Sequence, residues 1–228
     1  MQAHATTSWT VILATAHGSA AHREHFVRIY SPVVEAYLRV RWRSKRGDEI
    51  ADTVQNVMLD CLRDDGPLTG LGTEQCPSFR AYLFGITRIA ALREERLERK
   101  LPCPTDPELL TKVPSAVDDV TVTRAFDVAF GAALVKLALE RMLNSAADAE
   151  TSLLRQRVLK LRYLEGITPA EIALRTGVEV SRVYKQIESA RNDFRGAFLS
   201  VVAEQHPLST QRETIIECEE ILRAFMSQ

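Results

Sequence analysis

The sequence predicts an all-α protein in two helical domains, and three observations predict it. Apolar residues recur at three- and four-residue spacing almost throughout the 228 residues. Almost no segment shows the alternating, β-branched pattern of a strand. Four of the nine prolines fall in LPCPTDPELLTKVPSAV (101–117), a density that no helix tolerates and that favours an extended connection. The expected organisation is a first domain over 1–100, a linker over 101–117, a second domain over 118–200 and a C-terminal extension over 201–228.

The elements follow in order. Phe26, Ile29/Tyr30, Val33/Val34 and Tyr37/Leu38 mark a first helix in which Pro32 is either tolerated or produces a kink. Gly47-Asp48 breaks the chain. Ile50, Val54, Val57/Met58 and Cys61/Leu62 form a second stripe, with Asp48, Glu49 and Asp52 in its first turn, where acids favour the helix dipole. A loop rich in glycine and acid ends at Cys76-Pro77. Ser78 then caps a helix with Phe79, Leu83, Ile86 and Ala90 inside, followed by a charged run to Lys100. Beyond the linker come a helix over 123–143, the stretch ETSLLRQRVLKLRYLEG, two helices in ITPAEIALRTGVEVSRVYKQIESARNDFR, and a short helix near Glu213 to Phe225.

Composition narrows the function classes. The chain is 46% hydrophobic and 26% charged, as in ordinary globular proteins. No apolar run approaches the roughly 18 residues of a membrane span. VILATA, near the N-terminus, follows no basic region, so no secretory signal is expected and the cytoplasm is the default compartment. Cys61, Cys76, Cys103 and Cys218 are widely spaced, and His4, His17, His22 and His25 have no carboxylate or thiolate at ligand spacing. Reduced thiols, no metal and no cofactor are therefore expected. Neither a nucleophile–base pair, a glycine-rich phosphate loop nor a carboxylate dyad stands in convincing context, which argues against an enzyme.

The net charge of −1 conceals strong segregation. Residues 22–46 carry seven basic against two acidic side chains, and 47–78 one against seven. Residues 80–100 carry six against three, 151–200 nine against five, and 201–228 two against five. Basic and acidic faces on one small chain suit two kinds of partner, a polyanion and a protein.

The informative stretch is Pro169 to Ile187. Thr168 suits an N-cap, Pro169 the first turn and Glu171 the dipole. Ala173 is small, as a close helix crossing requires, and Gly177 stands four residues on, where a tight turn wants positive φ. Val178, Val183 and Ile187 lock a second helix across the first. That is the spacing of a helix-turn-helix, although Thr176 occupies a usually apolar position. On the second helix, Val183, Ile187, Ala190 and Phe194 form the buried stripe. Ser181, Lys185, Glu188 and Asn192 fall opposite, with Arg182 and Tyr184 on the flanks and Arg191 and Arg195 further along. These side chains suit base edges and phosphates, and those nearest the helix start reach bases in such motifs.

Three stretches in this order resemble the sigma-70 family, specifically its compact extracytoplasmic-function members. LLRQRVLKLRYLEGITPAEIALRTGVEVSRVYKQIESARNDFR is similar to region 4, which reads the upstream (−35) promoter element. FVRIYSPVVEAYLRVRW with GDEIADTVQNVMLDCL resembles regions 2.1 and 2.2. PSFRAYLFGITRIAAL resembles the segment that melts and reads the downstream (−10) element. The resemblance implies no catalytic residues and two partners: the RNA polymerase core, through the clamp of its largest subunit, and promoter DNA. An anti-sigma factor is a third partner that it allows; a membrane is not expected. It assigns core binding to Asp48, Glu49, Asp52, Gln55 and Asn56. Downstream DNA falls to Arg80, Tyr82, Phe84, Arg88 and Arg93, and upstream DNA to Ser181, Arg182, Tyr184, Lys185, Glu188 and Arg191. Ile89 stands where many members have asparagine, and the loop from Asp65 to Pro77 is long for the family. Two alternatives remain open: a helix-turn-helix regulator acting without polymerase, and a sigma-like adaptor that reads no promoter.

Overall fold

The computed structural model describes residues 20–63, 78–99, 119–144, 149–205 and 209–226. Among the described residues every regular element is helical and no strand is present. They comprise α1 (Ala20–Arg41), α2 (Gly47–Leu62), α3 (Phe79–Glu98), α4 (Asp119–Asn144), α5 (Ala149–Leu159), a π turn (Lys160–Leu164), α6 (Pro169–Thr176), α7 (Val180–Gln205) and α8 (Gln211–Met226). The expected linker, the loop after α2, Cys76 and Cys103 lie outside the described residues. None of the described helices is long and apolar enough to cross a membrane.

By compactness, one unit holds the described residues up to Ala133 together with those from Ala203 on, and the other holds Leu134–Val202. This differs from the division expected at 118 and 201. The first half of α4 and the whole of α8 belong with α1 to α3. A periodicity argument could not show this, because it says which face a helix buries and not against what.

In the first unit, α1 runs through Pro32, which is exposed, and buries Phe26, Tyr30, Val33, Tyr37 and Leu38. Aromatic rings meet edge to face around it. Tyr30 lies 4.9 Å from Phe79, Phe84 lies 5.4 Å from Tyr37, and Phe126 of α4 lies 5.2 Å from Phe84. Such pairs contribute roughly 0.5–1.5 kcal/mol each beyond their buried area. Ser78 caps α3 as expected, its hydroxyl accepting from the Ala81 N–H at 3.1 Å. The interior ridge of α3 is turned slightly from the expected one. Thr87 is fully buried, whereas Ile86 and Ala90 are half-buried. A threonine is tolerated there because its hydroxyl donates to the Leu83 carbonyl at 2.7 Å, leaving no orphaned polar atom. The α8 helix closes on Gly131 of α4: a β-carbon there would stand 3.1 Å from Ile221 Cγ2, so a larger residue would need the Ile221 side chain to give by a few tenths of an ångström.

In the second unit, Val158, Leu161, Ile167, Ile172, Ala173, Val183 and Ile187 form one core, with Leu154 and Val178 against it. Met142, Leu159 and Ala190 form another, flanked by Phe194 and Ala197. The π turn was not foreseen. The Glu165 N–H donates five residues back to Lys160, Gly166 takes φ +68°, and Ile167 is delivered to the core just ahead of Thr168.

Candidate functional site

In the second unit two helices, α6 and α7, follow one another across a tight turn at Gly177, over the stretch the sequence singled out. Thr168 Oγ1 accepts from the Glu171 N–H at 3.3 Å, while Glu171 Oε2 accepts from the Thr168 N–H at 3.2 Å. That reciprocal pair fixes where α6 begins. Gly177 ends it with φ 66° and ψ 21°, the left-handed region where a β-carbon is strained. Ala173 is buried at the crossing, and Val178 reaches the same core. Thr176, the departure from the usual apolar pattern, donates its hydroxyl to the Ile172 carbonyl at 2.7 Å and so adds no orphaned donor.

The consequence lies on α7. Val183, Ile187 and Ala190 are buried and Phe194 is half-buried, as the four-three-four spacing requires. Burial of that stripe turns the other face outward. Ser181, Arg182, Tyr184, Lys185, Glu188 and Arg191 are all exposed, as are Asn192 and Arg195. Tyr184 keeps 59% of its surface, unusual for so large an apolar ring. The face carries three cations and one carboxylate among its six expected contact residues, and no ion pair within the described residues neutralises those cations.

The expected core-binding residues also stand outward. Glu49, Asp52, Gln55 and Asn56 are exposed on α2, and Asp48, at the start of the helix, is engaged by Arg46. Gln55 edges a groove of about 310 Å³ between α1 and α2, lined by Val27 and Ser31 on one side and Val54 and Leu59 on the other. Leu59 is 53% exposed, an apolar residue beside an acidic row. It escaped the sequence reading, although its place off the buried stripe was a signal that it had some other task.

The expected downstream-DNA residues on α3 are brought together less well. Arg80 is ion-paired with Asp127 of α4. Phe84 belongs to the aromatic cluster with Tyr37 and Phe126. Tyr82 is half-buried with its ring 6.2 Å from Phe79, and Arg88 is half-buried. Arg93 alone of the five is exposed. The reason is that α3 packs on two sides, against α1 and α4, and only the first could be anticipated from its own periodicity. Ile89 is half-buried.

At the far end of α3, Glu95 receives Arg41 Nε at 2.7 Å, Arg41 Nη2 at 3.0 Å and the Trp42 indole N–H at 2.8 Å. Burial alone would raise this carboxyl. The hydrogen bonds from Arg41 and Trp42, with the charge of Arg41, outweigh it and hold Glu95 below the usual carboxylate range. Burial pushes the Cys61 thiol up to about 12 and that of Cys218 to about 11, so both are packing groups rather than thiolates at neutral pH.

No family model, no curated protein and no solved structure matches this chain.

Proposed function

We propose that the chain is a sigma factor of the extracytoplasmic-function type, one that carries core RNA polymerase to particular promoters, helps open them and catalyses nothing. The observation that carries the reading is the α6–Gly177–α7 geometry, with a polar, net-positive face left open along the start of α7. Reading an upstream element asks for such a helix, because residues near its start reach base edges in the major groove. The exposed acidic row and groove of α2 supply a second, separate surface of the opposite sign, suited to the clamp of the largest polymerase subunit. Work at promoters implies the cytoplasm, and the resemblance allows an anti-sigma factor as a further partner.

Run-off transcription with purified core polymerase on a randomised promoter pool tests this reading. Chain-dependent transcripts enriched for a two-part upstream and downstream signal are expected. No chain-dependent transcript, together with duplex binding that needs no polymerase, would replace it with a helix-turn-helix regulator. Co-purification with core but no promoter enrichment would replace it with an adaptor. The docking surface has its own test: replacing Asp52 and Gln55 together should abolish co-purification and leave helicity intact. Unchanged binding by that folded variant would overturn the assignment to α2.

A further inference from the structure

We infer that the groove between α1 and α2 is a docking site for this chain's own N-terminal segment, through the apolar run from Trp9 to Ala16, and that the docked segment regulates the face of α2 beside it. The regulatory half rests on the proposed function, which gives that face to the polymerase clamp; the docking does not.

The groove, of about 310 Å³, is lined by Val27 and Ser31 of α1 and by Val54, Met58, Leu59 and Leu62 of α2. Leu59 keeps 53% of its surface there. Glu35 is the one charged residue among the described residues that line it, and Arg39 engages that carboxylate at 2.6 Å. A groove so apolar and electrically quiet suits an uncharged occupant, because an ion entering it would lose hydration with no partner to replace it. Residues 1–19, which precede the described residues, contain no Lys, Arg, Asp or Glu. Trp9, Val11, Ile12 and Leu13 stand together within them, in a run without the basic flank of a secretory signal.

The point of attachment puts the groove within reach. The segment enters the fold at Ala20, the first residue of α1. At about 1.5 Å per residue, Val27 and Glu35 lie about 10 and 22 Å along that helix. Leu13 and Trp9 stand seven and eleven residues ahead of Ala20, a reach of up to about 23 and 36 Å. Gly18 falls in between, the residue type that most readily permits a chain to double back. Tethering also decides between occupants. A segment attached this close acts at an effective concentration on the order of millimolar, which a second copy of the chain does not reach in dilute solution.

The consequence is a chain that covers part of its own polymerase-facing surface. Gln55 lines the same groove, and Asp52 and Asn56 stand exposed on the same helix. Clamp and segment then compete, and the apparent affinity for core falls with the fraction of time the groove is open.

The test reads Trp9 in the full chain by acrylamide quenching. Subtracting the signal of the Trp9→Phe counterpart isolates Trp9 from Trp42, and a synthetic peptide of residues 1–19 gives the unshielded level. Trp9 should be quenched several-fold less in the chain than in the peptide, at every protein concentration. Leu59→Asp, at an exposed position where helicity should be unaffected, puts a charge on the groove and should raise quenching to the peptide level. A fully quenched Trp9 in the wild type, or shielding that Leu59→Asp leaves unchanged, would overturn the inference. Shielding that vanishes on dilution would overturn it too, in favour of a second copy. Core polymerase reads the consequence. If the groove is covered about nine-tenths of the time, Ile12→Ser/Leu13→Ser should bind core about tenfold more tightly than the wild type. Equal affinities would overturn the regulation. The two readings fail separately. Shielding through Leu59 in a chain that binds no core leaves the docked segment standing and removes the sigma reading. An unshielded Trp9 in a chain that directs promoter-specific transcription does the reverse.

Discussion

The helices α3 and α7 carry the same kinds of side chain, yet α7 leaves all six of its expected contact residues on the surface and α3 only Arg93 of its five. In α7 the apolar residues occupy a single stripe, so its exposed face follows by subtraction. In α3 a first apolar ridge packs on α1, and a second side, marked by Arg80 and Phe84, packs on α4. The family resemblance assigned this arginine and this phenylalanine to downstream DNA. In the structure they are the second half of a two-sided helix. The lesson is physical: periodicity reveals the strongest buried face of a helix and is silent about a weaker second one supplied by a distant segment.

That contrast can be broken most directly at Phe84. If its ring is interior, Phe84→Ala should cost about 3 kcal/mol, the lower end for large aromatic truncations because the site is only half-buried. Urea denaturation would measure it. A loss below about 0.5 kcal/mol, the usual range of surface substitutions, together with weaker binding of single-stranded downstream-element DNA, would return Phe84 to the DNA-facing side.

The Arg41–Glu95 pair gives an effect of similar size with a distinctive pH signature. The folded carboxyl of Glu95 is depressed, so its contribution to stability is present above the ordinary carboxylate range. It is lost as the pH falls through the folded value. Glu95→Gln strands the buried guanidinium of Arg41 and should cost about 3 kcal/mol at neutral pH. In acid the variant and the wild type should converge. Denaturation midpoints followed from neutral pH down to about pH 3 would show it, and parallel curves would assign the pair no role in acid stability.

Much of the second unit was legible in the sequence because its signals are local. Thr168, Glu171 and Gly177 act within one turn of their own positions, and each does what its residue type and spacing foretold. The stripe Val183–Ile187–Ala190–Phe194 needed nothing beyond helix geometry. The first unit was legible only in part. The placement of α8 against Gly131 depends on a contact across ninety positions of chain, which no local pattern encodes. The groove beside Gln55 needed α1 and α2 to be placed side by side before Leu59 acquired a role. The π turn depends on backbone hydrogen bonds that reach one residue further than in an α-helix, a difference too small to leave a mark in apolar spacing.

On α7 the expected effect moves from stability to recognition. Arg182 and Lys185 are exposed, so replacing either with alanine should change unfolding by less than about 0.5 kcal/mol. A paired contact to guanine would instead appear as a loss of about 1–3 kcal/mol at one base position in a promoter-library selection. A phosphate contact would weaken all sequences alike and lower the salt slope by roughly one. Upstream preferences identical to wild type in both variants would mean that this helix does not read sequence through these side chains.

The smallest expected effect compares the two units through the same device. Thr168 with Glu171 starts α6, and Thr210 with Glu213 starts α8 by the same reciprocal pair, the Thr210 N–H donating to Glu213 Oε2 at 2.7 Å and Thr210 Oγ1 accepting from the Glu213 N–H at 3.3 Å. The Glu213 carboxyl is held low chiefly by the backbone hydrogen bond from Thr210. Thr168→Ala and Thr210→Ala should each cost about 1 kcal/mol, since each leaves one first-turn N–H to water. Amide exchange can locate the damage. Thr168→Ala should speed exchange at Glu171 and Ile172 while leaving Glu213 and Thr214 alone, and Thr210→Ala should do the converse. On the proposed reading α6 serves to hold α7, so neither variant should alter upstream base preference. A changed preference in Thr168→Ala alone would show that the start of α6 sets the angle at which α7 is presented.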